Sequence, residues 1–181
     1  MDESIDSIDW PRIAARYALE ILPAEEMKAV ASALIRRGRW SDDIDALHTA
    51  VEPSIFDLGP HFDTVLEEEG VQVPSKDEAA WGLLRLHLQD IVAGLTSPRE
   101  GLQRVMADVG DAADFHSAST EYVGDSHGME HLVGFMHHYD DIEDDAHDGR
   151  GDPARFARLD KLVLEEAARW IAARDESTKT D

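Results

Sequence analysis

One segment of this chain, residues 116–148, concentrates the side chains that could bind a metal ion or a charged partner. Six of the nine histidines lie in it: His116, His127, His131, His137, His138 and His147. The segment also holds a run of carboxylates: Asp125, Glu130, Asp140, Asp141, Glu143, Asp144, Asp145 and Asp148. Neutral imidazole and carboxylate together bind zinc, iron or manganese, whereas carboxylates alone attract basic proteins. The segment therefore predicts either a metal centre or an acidic docking surface, and the sequence leaves both open.

The metal hypothesis depends on the side chains that one helix would bring to the same face. If residues 127–145 were one continuous helix, five ligand-type residues would fall within roughly 80° of each other, at about 100° per residue. They are His127, His131, His138, Asp141 and Asp145. Helices that project histidines and carboxylates inward build di-metal bundles. This alternative predicts a metal-dependent hydrolase with zinc, iron or manganese; otherwise no cofactor is expected.

The docking hypothesis depends on charge. The chain carries 39 acidic residues against 17 Lys and Arg, a formal net charge of −22. Such a field repels nucleic acid and anionic lipid and attracts basic protein surfaces, although the charge could serve solubility alone. The predicted partner-binding residues are Asp140, Asp141, Glu143, Asp144, Asp145 and Asp148. Two other acidic runs are rival surfaces: Glu67 to Glu69, and Asp42, Asp43 and Asp45.

The composition also bounds the compartment and the kind of partner. The chain has no cysteine, which excludes disulfides, thiolate metal sites and cysteine nucleophiles. The first residues are acidic where a signal peptide would be basic, and no apolar run is long enough to span a membrane. We therefore expect a cytoplasmic protein with no membrane or nucleic-acid partner. Self-association through an apolar face is a further alternative.

Helical periodicity dominates the sequence, and strand alternation is nearly absent. We therefore predict an all-α fold, a bundle or short array of seven to eight helices in a single domain that spans residues 1–181. The ordered core is predicted over residues 9–174, with frayed tails at 1–8 and 175–181.

Local signals place particular helices. Ser75 and Glu78 form a capping box before an apolar stripe that runs from Trp81 to Leu95. Gly59-Pro60 is predicted to open an earlier helix. The helix that carries the candidate site is predicted over residues 129–140, with four side chains turned inward: Met129, Leu132, Met136 and Tyr139. Outside the cluster, His87 is predicted to be a hydrogen-bonded packing residue.

From Thr96 onward the chain resembles short acidic bacterial proteins of the immunity-protein kind. The resemblance lies in the turn Ser97-Pro98-Arg99-Glu100-Gly101, which opens a helix, and in the two helices predicted over 132–141 and 152–173. It implies an interaction protein, an antidote to a basic toxin, with no catalytic residues. The prediction is a non-enzymatic acidic protein that engages a basic protein partner; the alternative is the metal-dependent hydrolase with its site in 116–148.

Overall fold

The computed structural model describes residues 7–51, 54–110, 128–147 and 152–177, and these ranges are helical throughout apart from their connections. They contain eight α-helices and no strand. The helices are α1 Trp10–Ala18, α2 Ala24–Arg36, α3 Asp42–Thr49, α4 Ile55–Glu68, α5 Lys76–Val92, α6 Pro98–Val109, α7 Glu130–His147 and α8 Pro153–Ser177. The predicted all-α fold of seven to eight helices is confirmed.

The chain divides into two compact units, residues 1–79 and residues 80–181. The division falls within α5, after its first turn. The arrangement of all helices in one domain stays a prediction. None of the helices in the described residues is long and apolar enough to cross a bilayer.

The first unit packs its helices around an aliphatic core. Its buried side chains include Leu22, Met27, Val30, Leu34, Ile44, Leu47, Leu58, Phe62, Val65 and Leu66. Tyr17 of α1 closes one edge of this core: its ring meets Phe62 edge to face at 5.1 Å between centroids, and its hydroxyl donates to Asp63 at 2.7 Å. Burial and the bond to Asp63 raise the pKa of Tyr17 above its usual range.

The start of α4 differs from the prediction that Gly59-Pro60 opens it. The helix begins at Ile55, where the Ser54 hydroxyl accepts a hydrogen bond from the Asp57 backbone N–H at 3.2 Å. Pro60 lies inside the helix, so that its missing N–H costs one intrahelical bond. The side-chain cap at Ser54 and the burial of Leu58 stabilise the extra turn before the proline.

The second unit is built around the face of α5 that carries Leu83, Leu84, Leu88 and Ile91, all fully buried. At the start of α5, in the part of the helix that belongs to the first unit, the predicted capping box is confirmed: Ser75 Oγ accepts from the Glu78 N–H at 3.3 Å, and Glu78 Oε2 accepts from the Ser75 N–H at 3.0 Å. The predicted stripe is too long at its end. The helix ends at Val92, Gly94 adopts a positive φ of 70°, and Leu95 is left 77% exposed.

The helix α6 approaches α5 closely because residue 101 is glycine. A Cβ at this position would lie 2.2 Å from Ile91 Cγ1, well inside van der Waals contact. Ser97 caps the same helix by accepting from the Glu100 N–H at 3.3 Å, with Pro98 as the first helical residue. The Glu100 carboxylate pairs with Arg104 at 2.6 Å rather than with the Ser97 N–H, so this helix start is not a full capping box.

Candidate functional site

The helix α7 is anchored to α8 by its apolar face. Met129, Leu132 and Tyr139 are buried as predicted, and Met136 is half-buried. The Tyr139 hydroxyl donates to Asp160 of α8 at 2.6 Å, and its ring stacks on Phe156 with centroids 6.4 Å apart. Burial and the bond to Asp160 raise the pKa of Tyr139 above its usual range. The opposite face of α7 is thereby held toward solvent.

Both ends of α7 differ from the sequence prediction. The helix continues seven residues past the expected end at Asp140, because Ile142 extends the buried stripe by another turn. At its start, Gly128 has a positive φ of 64°, and the helix begins at Glu130. The continuous helix over 127–145 that the metal hypothesis assumed is therefore wrong at its first residues.

The proposed metal ligands are not brought together within the described part of the chain. His131, His138 and Asp141 are exposed on α7, and Asp145 pairs with Arg155 of α8 at 2.6 Å. Among the described residues, no group of three or more His, Asp and Glu side chains is placed to hold a metal ion. His127 lies outside the described residues, and the metal site stays a prediction.

The predicted docking carboxylates divide into two sets. Glu143 pairs with Arg99 of α6, and Asp145 with Arg155, so these two acids join α7 to its neighbours. Asp140, Asp141 and Asp144 are exposed and have no ion pair or hydrogen bond with any described side chain. Asp148 lies outside the described residues. The structure thus separates acids that connect helices from acids that face solvent.

The position of the exposed acids in the helix is electrostatically unfavourable. The α7 sequence holds six Asp and Glu and no Lys or Arg, and five of these acids lie in its last two turns. The last turn of a helix carries the negative pole of its dipole, so the uncompensated Asp144 there costs about 0.3–1 kcal/mol. Asp140 lies four residues before Asp144, and the repulsion of two like charges at this spacing costs about 0.2–0.5 kcal/mol. Arg99 offsets the charge of Glu143, and Arg155 offsets that of Asp145. The other three acids of this group have no described cation paired with them. Breaks of a local stability rule are expected at functional positions.

Most acids of the two rival runs stabilise a helix start or pair with another side chain. Asp42, Asp43 and Asp45 lie in the first turn of α3, where the helix dipole favours acids, and Asp43 also contacts His61 Nδ1 at 2.7 Å. Glu69 pairs with Arg39 at 2.9 Å. Only Glu67 and Glu68 of these runs are exposed at the unfavourable end of a helix, α4.

The buried histidine outside the cluster behaves as predicted. His87 of α5 is almost fully buried, and its Nε2 lies 3.0 Å from Asp108 of α6. It is a hydrogen-bonded packing residue between two helices of the second unit.

A groove between α7 and α8 was not foreseen from the sequence. Its volume is about 660 Å³, and its apolar floor is formed by Phe135, Leu159 and Leu162. Arg155 and Arg158 of α8 contribute its guanidinium groups. Two signals could have indicated it: arginines three residues apart on the last helix, and the glycine at position 134 inside an otherwise regular helical pattern.

No protein-family model, curated protein sequence or solved structure matches this chain. The resemblance to immunity proteins therefore stays a prediction, and the function is argued from the chain's own residues.

Proposed function

We propose that this chain is a non-enzymatic protein that binds a basic protein partner through the exposed carboxylates at the C-terminal end of α7. The observation that carries the proposal is the set Asp140, Asp141 and Asp144, which are exposed, unpaired with any described residue and close enough along the helix to repel one another. A cationic partner would relieve that repulsion. Asp148, which the sequence analysis assigned to the same surface, would extend it.

The geometry of α7 suits a docking surface. At about 100° and 1.5 Å per residue, Asp140, Asp141 and Asp144 fall within roughly 100° of the helix circumference and 6 Å of its length. Tyr139 and Phe156 hold the opposite face against α8, so the carboxylates need little reorganisation on binding. Charges arranged in this way steer a basic protein and raise its association rate and specificity.

The class of partner follows from the charge. A protein whose own active site must hold phosphate groups presents Lys and Arg at that site, and an acidic helix surface can cover it. A toxin of the nuclease type has this property. The resemblance to immunity proteins and the position of the acids on α7 therefore both support an inhibitor role, which requires no catalytic residue.

The test compares two matched pairs of carboxylates. Asp140→Asn with Asp144→Asn removes two acids from the end of α7, and Glu67→Gln with Glu68→Gln removes two from the end of α4. Each variant removes two negative charges from the C-terminal part of one helix. Glu67 and Glu68 lie in the last turn of α4, whereas only Asp144 lies in that of α7, so the free energy of unfolding of each variant is measured alongside its binding. Each variant is used to capture proteins from an extract of the source cells, and the affinity of the captured basic protein is then measured by calorimetry.

We expect the α7 variant to weaken binding about 2- to 30-fold, since an exposed ion pair contributes about 0.2–1 kcal/mol. Its affinity should also depend less steeply on salt, while the α4 variant should bind as the unmodified chain does. A loss confined to the α4 variant would move the surface to Glu67 and Glu68. Equal affinity of all three proteins would contradict the proposal.

A further inference from the structure

The groove between α7 and α8 has the size and lining of a small-molecule site. Its volume of about 660 Å³ falls within the roughly 300–1,000 Å³ of ligand pockets. Phe135 and Leu159 form its floor, and Leu162 on the same lining remains 47% exposed although it is a large apolar side chain. A hydrocarbon group that covered these residues would remove apolar surface from water.

The glycine at position 134 keeps this groove open. It lies inside α7 with no positive φ, and a Cβ built on it would meet no described heavy atom within 4 Å. Neither backbone conformation nor close packing requires glycine here. A glycine in a helix interior costs about 1 kcal/mol relative to alanine, so the position gives up stability and leaves the groove free of a side chain.

The polar part of the groove favours an anion. Arg155 Nη1 contacts Asp145 at 2.6 Å and Arg158 Nη2 contacts Asp152 at 3.1 Å, and these carboxylates hold the two guanidinium groups in place. Each guanidinium has five N–H donors in a planar fork that matches a carboxylate. His138 adds an imidazole to the same lining.

One carboxylate, Glu130, also borders the groove, but at its other end. It is the first residue of α7, and Asp145, the partner of Arg155, follows fifteen residues later, about 22 Å along the helix axis. Its charge is therefore well separated from the carboxylate that Arg155 contacts, with His131 Nε2 at 3.9 Å beside it. The arginine end of the groove therefore suits the anionic head of a ligand, and the floor toward Leu162 suits an apolar tail.

We infer that the α7–α8 groove binds an amphipathic carboxylate, whose anionic head pairs with Arg158 and Arg155 and whose hydrocarbon tail covers Phe135, Leu159 and Leu162. This function is separate from the docking of a basic protein, since the residues involved differ from the exposed acids of α7. It places an anion site on a chain with a net charge of −22.

The experiment uses three probes with the same tail and different heads: octanoate, octanol and octylammonium. Calorimetric titration of the full chain should give a dissociation constant for octanoate at least about tenfold below those of the other two, as expected for one charge-assisted contact. The net charge of the chain favours octylammonium over octanoate on most of its surface. A preference for octanoate must therefore arise from a local group of arginines, and the variants below decide whether that group is Arg155 and Arg158.

Two variants locate the site. Arg158→Gln should lower octanoate affinity about tenfold and leave octanol unaffected, because Arg158 is largely exposed and pairs with Asp152 alone among the described acids. Gly134→Leu should abolish binding of all three probes by filling the groove. Gly82→Leu is the matched control: Gly82 lies inside α5 with no described atom within 4 Å of its Cβ, and octanoate should bind unchanged.

The inference is overturned if no probe binds, if the three bind equally, or if octylammonium binds best. It is also overturned if octanoate still binds Gly134→Leu, or if sedimentation shows a dimer of the unmodified chain that Gly134→Leu converts to a monomer.

Discussion

The interior glycines of the helices provide a test in which the structure predicts opposite signs for the same substitution. Gly134 in α7 and Gly101 in α6 both occupy helical positions without a positive φ. At Gly134 the added methyl would meet no described atom, whereas at Gly101 it would lie 2.2 Å from Ile91 Cγ1 and 2.5 Å from Ile91 Cδ1. Sequence patterns alone would treat the two positions alike.

The magnitudes follow from helix propensity and packing. Gly134→Ala should raise the free energy of unfolding by about 0.8–1 kcal/mol, the usual difference between alanine and glycine in a helix interior. For a chain of this length that change corresponds to a rise of about 2–4 °C in Tm. Gly101→Ala gains the same propensity, but overpacking a buried contact costs about 1–3 kcal/mol. The net effect is a loss of up to about 2 kcal/mol.

The assay is denaturant unfolding followed by circular dichroism and tryptophan fluorescence, with thermal unfolding as a second measurement. A double-mutant cycle identifies the cause of the loss at position 101. In an Ile91→Ala background, Gly101→Ala should no longer destabilise, because the two Ile91 atoms nearest to the added methyl are absent and only Thr96 Cγ2 at 3.1 Å remains close. The two substitutions should couple by about 1–3 kcal/mol.

Two results would refute this reasoning. A lower stability for Gly134→Ala would mean that another group occupies the space at the groove. Additive effects of Gly101→Ala and Ile91→Ala would mean that the close approach of α5 and α6 does not depend on the glycine.

Two further predictions concern the tyrosine anchors and the metal alternative. Burial and hydrogen bonds to Asp63 and Asp160 raise the pKa of Tyr17 and Tyr139, so their stabilisation is complete below about pH 10, where an unfolded tyrosine ionises, and is lost as pH rises through the folded values. Phenolate absorbance should therefore show both tyrosines neutral until alkaline unfolding; ionisation of either residue at its ordinary pKa in the folded chain would contradict its hydrogen bond. The proposed function requires no metal, so elemental analysis of untagged protein purified without chelator should find no stoichiometric zinc, iron or manganese. About one ion per chain, lost in His131→Ala, would establish a metal site at His131 and favour the hydrolase alternative instead.

Much of the candidate site could be predicted from the sequence because α7 is amphipathic over its whole length. The apolar spacing of Met129, Leu132 and Tyr139 predicts which face is buried, and the acids then fall on the exposed face.

The error at Gly59-Pro60 has a similarly local cause. A proline can open a helix or be tolerated within it, and the cap at Ser54 decided between them.

The sequence by itself determined the helical class, the capping box at Ser75 and the amphipathic face of α7, since each depends on residues within a few turns of one another. The tertiary structure alone decided which acids are available. Glu143 meets Arg99, which is 44 residues away in the chain, and Asp145 of α7 meets Arg155 of α8. The groove beside Gly134 arises in the same way, because its lining comes from two helices whose packing brings distant residues together.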